Sequence, residues 1–288
     1  MAGFYGVREI VNAHLSGAEK YTQFRKAPSQ VTTAGIWFDL TSSGGNPKPF
    51  YYASPPLEAT VMSQSSASGM LHGGEVSPSL KVIRKLLVMS SSATGLPMPM
   101  ILCDYLLYYP FADMGETDEQ TTVNGVSLSR YTDGAGVRIM AVLAAAGAGG
   151  QTFRVRYTNQ DGVANRLTST VIMNTATATG SIISGQNANA SAAGPFLPLQ
   201  SGDTGVRSIE GVQMISGADV GLFHLVLVKP LLTTCIVEQT AAVEIDATID
   251  AGGQMPIIKD GAYLNFICLP NGSLSGVNIH GELTTIWN

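Results

Sequence analysis

An all-β chain, an antiparallel sandwich of jelly-roll type preceded by a short N-terminal helix and arm, is what three features of this sequence predict. The first is the alternation of Gln151-Thr-Phe-Arg-Val-Arg-Tyr157, which puts Phe153, Val155 and Tyr157 on one face and Arg154 and Arg156 on the other. The second is Leu222-Phe-His-Leu-Val-Leu-Val228, apolar on both faces and so suited to the middle of a sheet or the space between two layers. The third is the recurrence of strand-like segments roughly every 10–20 residues, separated by turns of glycine, asparagine, aspartate and proline.

Taken in order, the apolar spacing Val7, Ile10, Val11, His14, Leu15 predicts a short helix, broken at Ser16-Gly17 and stopped from continuing by Pro28. Residues 1–35 are therefore expected to form a helix plus an extended arm, outside a β-sandwich domain over 36–288. Gly35-Ile-Trp-Phe-Asp-Leu40 reads as a short strand ending in the turn cluster Thr41-Ser-Ser-Gly-Gly-Asn-Pro47. Met100–Tyr109 and Val137–Leu143 follow as strands. Gln151–Tyr157 and Arg166–Met173 form a hairpin through Asn159-Gln-Asp-Gly162, whose residues tolerate positive φ. Further strands are expected at Val206–Ile215, Leu222–Val228, Thr234–Asp246, Tyr263–Leu269 and Val277–Trp287. Thr175–Gly194, a low-complexity stretch of small neutral residues, predicts a long loop that lies against something rather than in water. Asp133-Gly-Ala-Gly-Val-Arg138 is echoed by Gly202-Asp-Thr-Gly-Val-Arg207, which allows two abutting β lobes with a boundary near residue 125.

The composition excludes several classes. Charged residues make up 13 % of the 288 residues, about half the ~25 % usual in soluble proteins. A net charge of -5 with 45 % hydrophobic residues is not the signature of disorder. The acidic balance argues against a phosphate-neutralising groove for nucleic acid. Cys103, Cys235 and Cys268 stand apart among apolar neighbours and read as free thiols acting as small hydrophobes in a reducing compartment. Met-Ala-Gly-Phe-Tyr-Gly-Val-Arg8 lacks the pattern of a signal peptide, and no apolar run reaches the ~18–20 residues that cross a bilayer, so no membrane partner is expected.

The residues carry no recognisable catalytic motif: a nucleophile elbow, a P-loop, HExxH and a complete GxGxxG are all missing, so neither catalytic residues nor a cofactor is expected. His72-Gly73-Gly74 resembles an oxyanion tripeptide but, without the elbow, reads as a turn. His14, His72, His224 and His280 share no ligand spacing; His224, in an apolar strand, reads as a core or interface histidine. Asp113, Glu116, Asp118 and Glu119 concentrate carboxylates as a calcium loop would, but without EF-hand order. Asp104 and Asp113 are a conceivable glycosidase pair. With Tyr51, Tyr52, Tyr108 and Tyr109, those acids also allow a carbohydrate-binding or carbohydrate-cleaving β protein. At an assembly interface the aromatic and apolar candidates are Phe4, Tyr5, Val7, Tyr21, Phe24, Tyr51, Tyr52, Tyr108 and Tyr109.

The order of segments adds a resemblance. Asn12-Ala-His-Leu15, Gly35-Ile-Trp-Phe-Asp39 and Leu102-Cys-Asp-Tyr-Leu-Leu-Tyr-Tyr-Pro110 are followed by Arg130-Tyr-Thr-Asp-Gly-Ala-Gly-Val-Arg138 and Tyr157-Thr-Asn-Gln-Asp-Gly162. Phe196-Leu-Pro-Leu-Gln-Ser-Gly-Asp-Thr-Gly-Val-Arg-Ser-Ile-Glu210 and Leu225-Val-Leu-Val-Lys-Pro230 complete the series. Over most of its length the chain resembles poorly characterised structural proteins of tailed-bacteriophage virions, a group with no assigned chemistry. The resemblance implies a virion component assembled in the bacterial host cytoplasm, foremost a capsid decoration or cement protein. The major capsid protein and a tail or collar component stand as alternatives. Its implied partners are further copies of itself, as a homotrimer or other symmetric oligomer, and other capsid proteins. Low charge fits that expectation, because contacts between copies replace solvated surface.

Overall fold

The structure, a computed structural model, describes Phe4 and residues 6–183, 194–250 and 255–288. Helix α1 (Val7–Leu15) ends at Ser16 and Gly17, the latter at φ +74, where a residue without Cβ is free to reverse the chain. Period-two alternation then takes over in β1 (Glu19–Ala27): Thr22, Phe24 and Lys26 point inward, while Tyr21, Gln23 and Arg25 face out. Next come β2 (Phe38–Asp39), β3 (Gly44–Asn46), β4 (Thr60–Val61), the single turn α2 (Gln64–Ala67), β5 (Lys81–Ser90) and β6 (Met98–Asp113). After β7 (Gln120–Thr121) lie β8 (Arg138–Ala145), β9 (Thr152–Asn159), β10 (Arg166–Leu167) and β11 (Val171–Ile172). The remainder comprises β12 (Val206–Met214), β13 (Leu222–Ile236), β14 (Val243–Asp246), β15 (Ile257–Ile258), β16 (Tyr263–Cys268) and β17 (Ile279–Trp287). Strand accounts for 43 % of the chain and helix for 5 %, so the fold is all-β, as expected.

Three antiparallel sheets result. The central one has the order β2-β16-β6-β13-β8, with β4 extending the β6 edge. Its strand β6 is 16 residues long, roughly 50 Å at ~3.3 Å per residue, and can therefore support two partners on one face. One end of that face packs on the sheet β10-β9-β12-β7, joining Leu107, Tyr109, Ile139, Leu225 and Leu227 to Phe153, Val155, Tyr157, Ile209 and Val212. The other end packs on β14-β5-β17-β1-β3, joining Met98, Met100, Leu102, Leu264 and Phe266 to Phe24, Ile83, Leu86 and Leu283. The sandwich is thus doubled about one shared sheet. No single cut in the sequence separates its lobes, because β6, β8, β13 and β16 serve both sides of residue 125.

The hairpin forms as the turn chemistry predicts. β10 and β11 both pair with β9, Gly162 takes φ +78, and the Asn159 side chain accepts from Asp161 N and Val163 N at 3.0 and 2.9 Å. Leu222–Val228 does lie centrally, between β6 and β8, but the strand continues through Pro230 to Ile236. Pro230 is accommodated because β8 stops opposite Val228 and a register shift follows the proline, so its missing N–H interrupts no continuous ladder. The expected strand over Thr234–Asp246 is accordingly divided between the end of β13 and β14.

The N-terminal segment also departs from expectation. Residues 19–27 are not a free arm: β1 lies between β17 and β3, matched to β17 from Glu19↔Ile286 to Lys26↔Ile279. Thr175–Gly194 finds its cover within the chain over its first part, where Ala176, Ala178, Ser181, Ile182 and Ile183 are buried and short bridges reach Phe38 and Val142. Residues 184–193 of that stretch lie outside the described residues. The two echoing segments meet each other, with Ala135 bridging Gly205 and Gly136 N donating to Thr204 O at 3.1 Å. A Cβ on Gly205 would fall 1.9 Å from Gly134 O, which is the reason for glycine there.

Candidate functional site

Among the described residues no sheet lies over the second face of the central sheet. Residues of the 36–72 segment cover it, and Tyr52, Met62, Ala67, Cys103, Tyr105, Tyr108, Val226, Tyr263 and Ile182 form its core. An irregular covering chain cannot satisfy its own backbone, and side chains supply the missing bonds. Asp39, completely buried at the end of Ile-Trp-Phe-Asp, accepts four hydrogen bonds. They come from Thr41 Oγ1 and Tyr52 OH at 2.6 Å, Tyr105 OH at 2.7 Å and Thr41 N at 3.1 Å. Burial pushes its carboxyl up and these donors pull it back, with a net rise. Loss of hydration, with Asp39 beside them, drives the Tyr52 and Tyr105 hydroxyls far above their ordinary range. Lys26 is buried as well; its Nζ donates to Pro47 O at 3.1 Å, and burial lowers its ammonium to about 8 against the opposing pull of Asp39.

A buried ion pair ties β6 to the loop before β8. Arg130 donates to both oxygens of Asp104, from Nε at 3.0 Å and from an Nη at 2.8 Å, and also to the carbonyls of Met62 and Tyr105. Tyr263 N adds a third bond to Asp104 at 3.0 Å. Burial pushes the Asp104 carboxyl up to about 6 in spite of Arg130. A partly enclosed cavity of about 200 Å³ lies between this face and its cover, lined by Asp39, Phe50, Tyr52, Phe111, Val142 and His224 among others. His224 stacks at 5.0 Å from Tyr52 and 5.1 Å from Phe111, accepts from Phe111 N at Nδ1, and is held neutral by burial, which lowers it to about 4.

Several residues read from the sequence as interface candidates are interior. Phe24 packs on Phe266 at 5.0 Å. Tyr52 is committed to Asp39, Tyr108 OH donates to Ala53 O, and Tyr109 OH bridges Asn124 and Ile209 N. Each of these tyrosines has an internal partner at its hydroxyl, so burying the ring leaves nothing unsatisfied. Phe4 is half-buried beside Lys229, Met255 and Ile257, and Tyr5 lies outside the described residues. Val7, Tyr21 and Tyr51 are exposed. On α1 that exposure is organised: Val7, Val11 and Leu15, at 74, 48 and 76 % exposure, follow i, i+4, i+8 on the side opposite the buried Ala13.

The four clustered acids do not converge. Asp113 accepts from Gly115 N, Glu116 from Asp118 N, and Glu119 pairs with Arg156 Nε at 2.5 Å. Among the described residues no three His, Cys, Asp or Glu side chains meet in a metal-binding group. Asp104 and Asp113 sit nine residues apart on β6, roughly 30 Å, far beyond the ~5–9.5 Å of a glycosidase pair. Cys103 and Cys268 are buried free thiols that burial drives well up, and Cys235 is half-buried and free. Asp39 and Arg130 were not singled out by sequence reasoning; the available signal was a lone aspartate ending each of two apolar runs, Ile-Trp-Phe-Asp39 and Ile-Leu-Cys-Asp104.

No family model matches the chain, and no curated protein matches it. Two of the solved structures that match show how weak the likeness is. The infectious bursal disease virus VP2 subviral particle is 11 % identical over 94 % of this chain and 81 % of that one, with a TM-score of 0.17. The infectious bursal disease virus Gx strain is 10 % identical over 94 % and 80 %, with a TM-score of 0.16. Likeness at that level supports neither fold nor function by itself.

Proposed function

We propose that this protein is a structural component of a tailed-phage virion, a decoration or cement subunit that docks on the head shell as a symmetric oligomer, in the first instance a homotrimer. The observation that carries the reading is the outward apolar stripe of α1. Helices normally turn such a stripe toward their own core, and here the stripe faces away from it while Ala13 makes the inward contact. Tyr21 and Val31 add exposed apolar surface in the same N-terminal segment. Meanwhile Asp39, Asp104, Arg130 and Tyr105 spend their polar atoms on holding the fold together. Three side chains cannot supply the ~800 Å² per partner of a durable pairwise interface; repetition around a shell would supply strength through many weak contacts.

The test is to assemble heads with the wild-type protein and with Val7→Ser/Val11→Ser/Leu15→Ser, then measure occupancy by quantitative mass spectrometry and the temperature of head rupture. The proposal expects occupancy to fall at least tenfold and rupture to move toward that of undecorated heads. Full occupancy by the variant would overturn it. Copy number separates shell or decoration, on the order of hundreds per particle, from a collar of about a dozen.

A further inference from the structure

The cavity beneath Phe50 and Tyr52 holds a hydrogen-bond donor that the fold leaves over. His224 is 6 % exposed and lines the cavity. Its Nδ1 accepts the Phe111 N–H at 3.3 Å, so the neutral ring carries its proton on Nε2. Among the described residues nothing accepts from that Nε2–H. That Nε2–H is left for whatever occupies the cavity, whose walls are mainly the rings of Phe50, Tyr52 and Phe111 and the side chains of Val142, Leu143 and Ala144, with Thr41, Ser42 and Thr179 adding hydroxyls to the lining. The rings and aliphatic side chains offer dispersion, and the Tyr52 and Thr41 hydroxyls are already bonded to Asp39.

We propose that this cavity is a binding site for a small uncharged ring compound bearing one acceptor oxygen, its ring against Phe50, Tyr52 and Phe111 and its oxygen on His224 Nε2–H. Size sets the first limit: a cavity of ~150 Å³ takes benzene, and this one is about 200 Å³. Charge sets the second. The Asp39 carboxyl lines the same cavity with its lone pairs already taken by four donors, so it repels an anion and has nothing left to offer a cationic donor. An ammonium would moreover leave the Nε2–H unpaired. The neutral acceptor is the class that satisfies the ring nitrogen without opposing the carboxyl.

The probes are phenol, toluene and benzoate, added to the full chain with the His224 ring followed by NMR of labelled histidine. Phenol and toluene have the same heavy-atom count and differ in the oxygen, so their ratio isolates the hydrogen bond. The expected result is phenol binding at least tenfold tighter than toluene, with a shift at the His224 ring nitrogens, and no shift with benzoate at the concentration that saturates with phenol. His224→Phe should bring the phenol-to-toluene ratio to within about twofold of unity. Ala144→Phe, which fills the cavity from its half-buried rim, should abolish binding of both and serves if the histidine variant does not fold. Equal affinity for phenol and toluene, benzoate binding as well as phenol, or phenol binding unchanged in Ala144→Phe would each overturn the assignment.

Discussion

The side of the central sheet that packs on the two outer sheets is lined by leucine, isoleucine, valine and methionine with few polar atoms. The opposite side carries Tyr52, Tyr105, Tyr108, Tyr263 and His224. The difference follows from what covers each side. An outer sheet arrives with its backbone bonds made in its own ladders and asks only for apolar contact. A covering loop arrives with carbonyls and amides unpaired, so Arg130 reaches Met62 O, Tyr108 reaches Ala53 O, and Asp39 takes Thr41 N. Polar residues on the buried face of a strand therefore mark where irregular chain lies over it.

The largest expected effect comes from removing one half of the ion pair. Arg130→Met strands the buried Asp104 carboxylate and two backbone carbonyls, and should cost about 3–5 kcal/mol in urea unfolding. Arg130→Met/Asp104→Leu should recover a substantial part of that loss. On the aliphatic side Leu225→Ala should cost ~2–5 kcal/mol through its cavity alone, with no second polar substitution able to restore it. A paired variant as unstable as Arg130→Met would show that packing volume, and not the unpaired charge, dominates at this site.

Acid should act next, through the buried histidines. Burial lowers both His72 and His224 to about 4, against an unfolded value of 6.5. Between those limits the unfolded chain binds more protons than the folded one, so stability falls as pH drops from 6.5 to 4. Each histidine contributes roughly 3 kcal/mol to that fall. Asp104, raised to about 6, and the raised Asp39 act with opposite sign and offset part of that fall. The histidine part is isolated by urea midpoints of wild type and histidine variants across the range. His224→Phe should flatten the slope by about half of the histidine part, and an unchanged slope would remove His224 from the account.

Smaller still is the loss of one hydroxyl. Tyr52→Phe takes a donor from the fully buried Asp39 and should cost ~1–3 kcal/mol by denaturation. Ile139→Val, a deletion of similar size on the other side, should cost about 0.5–1.5 kcal/mol. Near-equal losses would mean that Thr41 and Tyr105 satisfy Asp39 without Tyr52.

The same contrast governs what could be read from the residues alone. Period-two alternation in Phe153, Val155 and Tyr157 and the continuous apolar run of Leu222–Val228 located strands whose environment is made by other strands. It did not locate Pro230 inside β13, because tolerance of a proline depends on where β8 happens to stop. β1 was hidden for a related reason: Thr22 and Lys26 alternate with Phe24 on its inward side, and a lysine at an inward position reads as surface until Pro47 O is seen beside it. The tyrosines of β6 carried no sign of which face they occupied, since a ring with a hydroxyl suits an interface and a hydrogen-bonded interior equally. Register shifts near Leu106 and at Pro110-Phe111 settle that question in space, not in spacing.

The smallest stability change is expected where exposure is greatest. Val11→Ser removes an apolar side chain from the outward stripe of α1, about half of whose surface is already in water. Substitutions at such positions usually alter stability by less than ~0.5 kcal/mol, against several kcal/mol for a core position such as Leu225. Equal urea midpoints for Val11→Ser and wild type, together with reduced occupancy of the head by Val11→Ser, would place the cost of the mutation in docking. A midpoint shift equivalent to more than about 2 kcal/mol would instead mean that Val11 packs on its own chain in solution. The outward stripe could then no longer serve as the contact surface from which the proposed role is drawn.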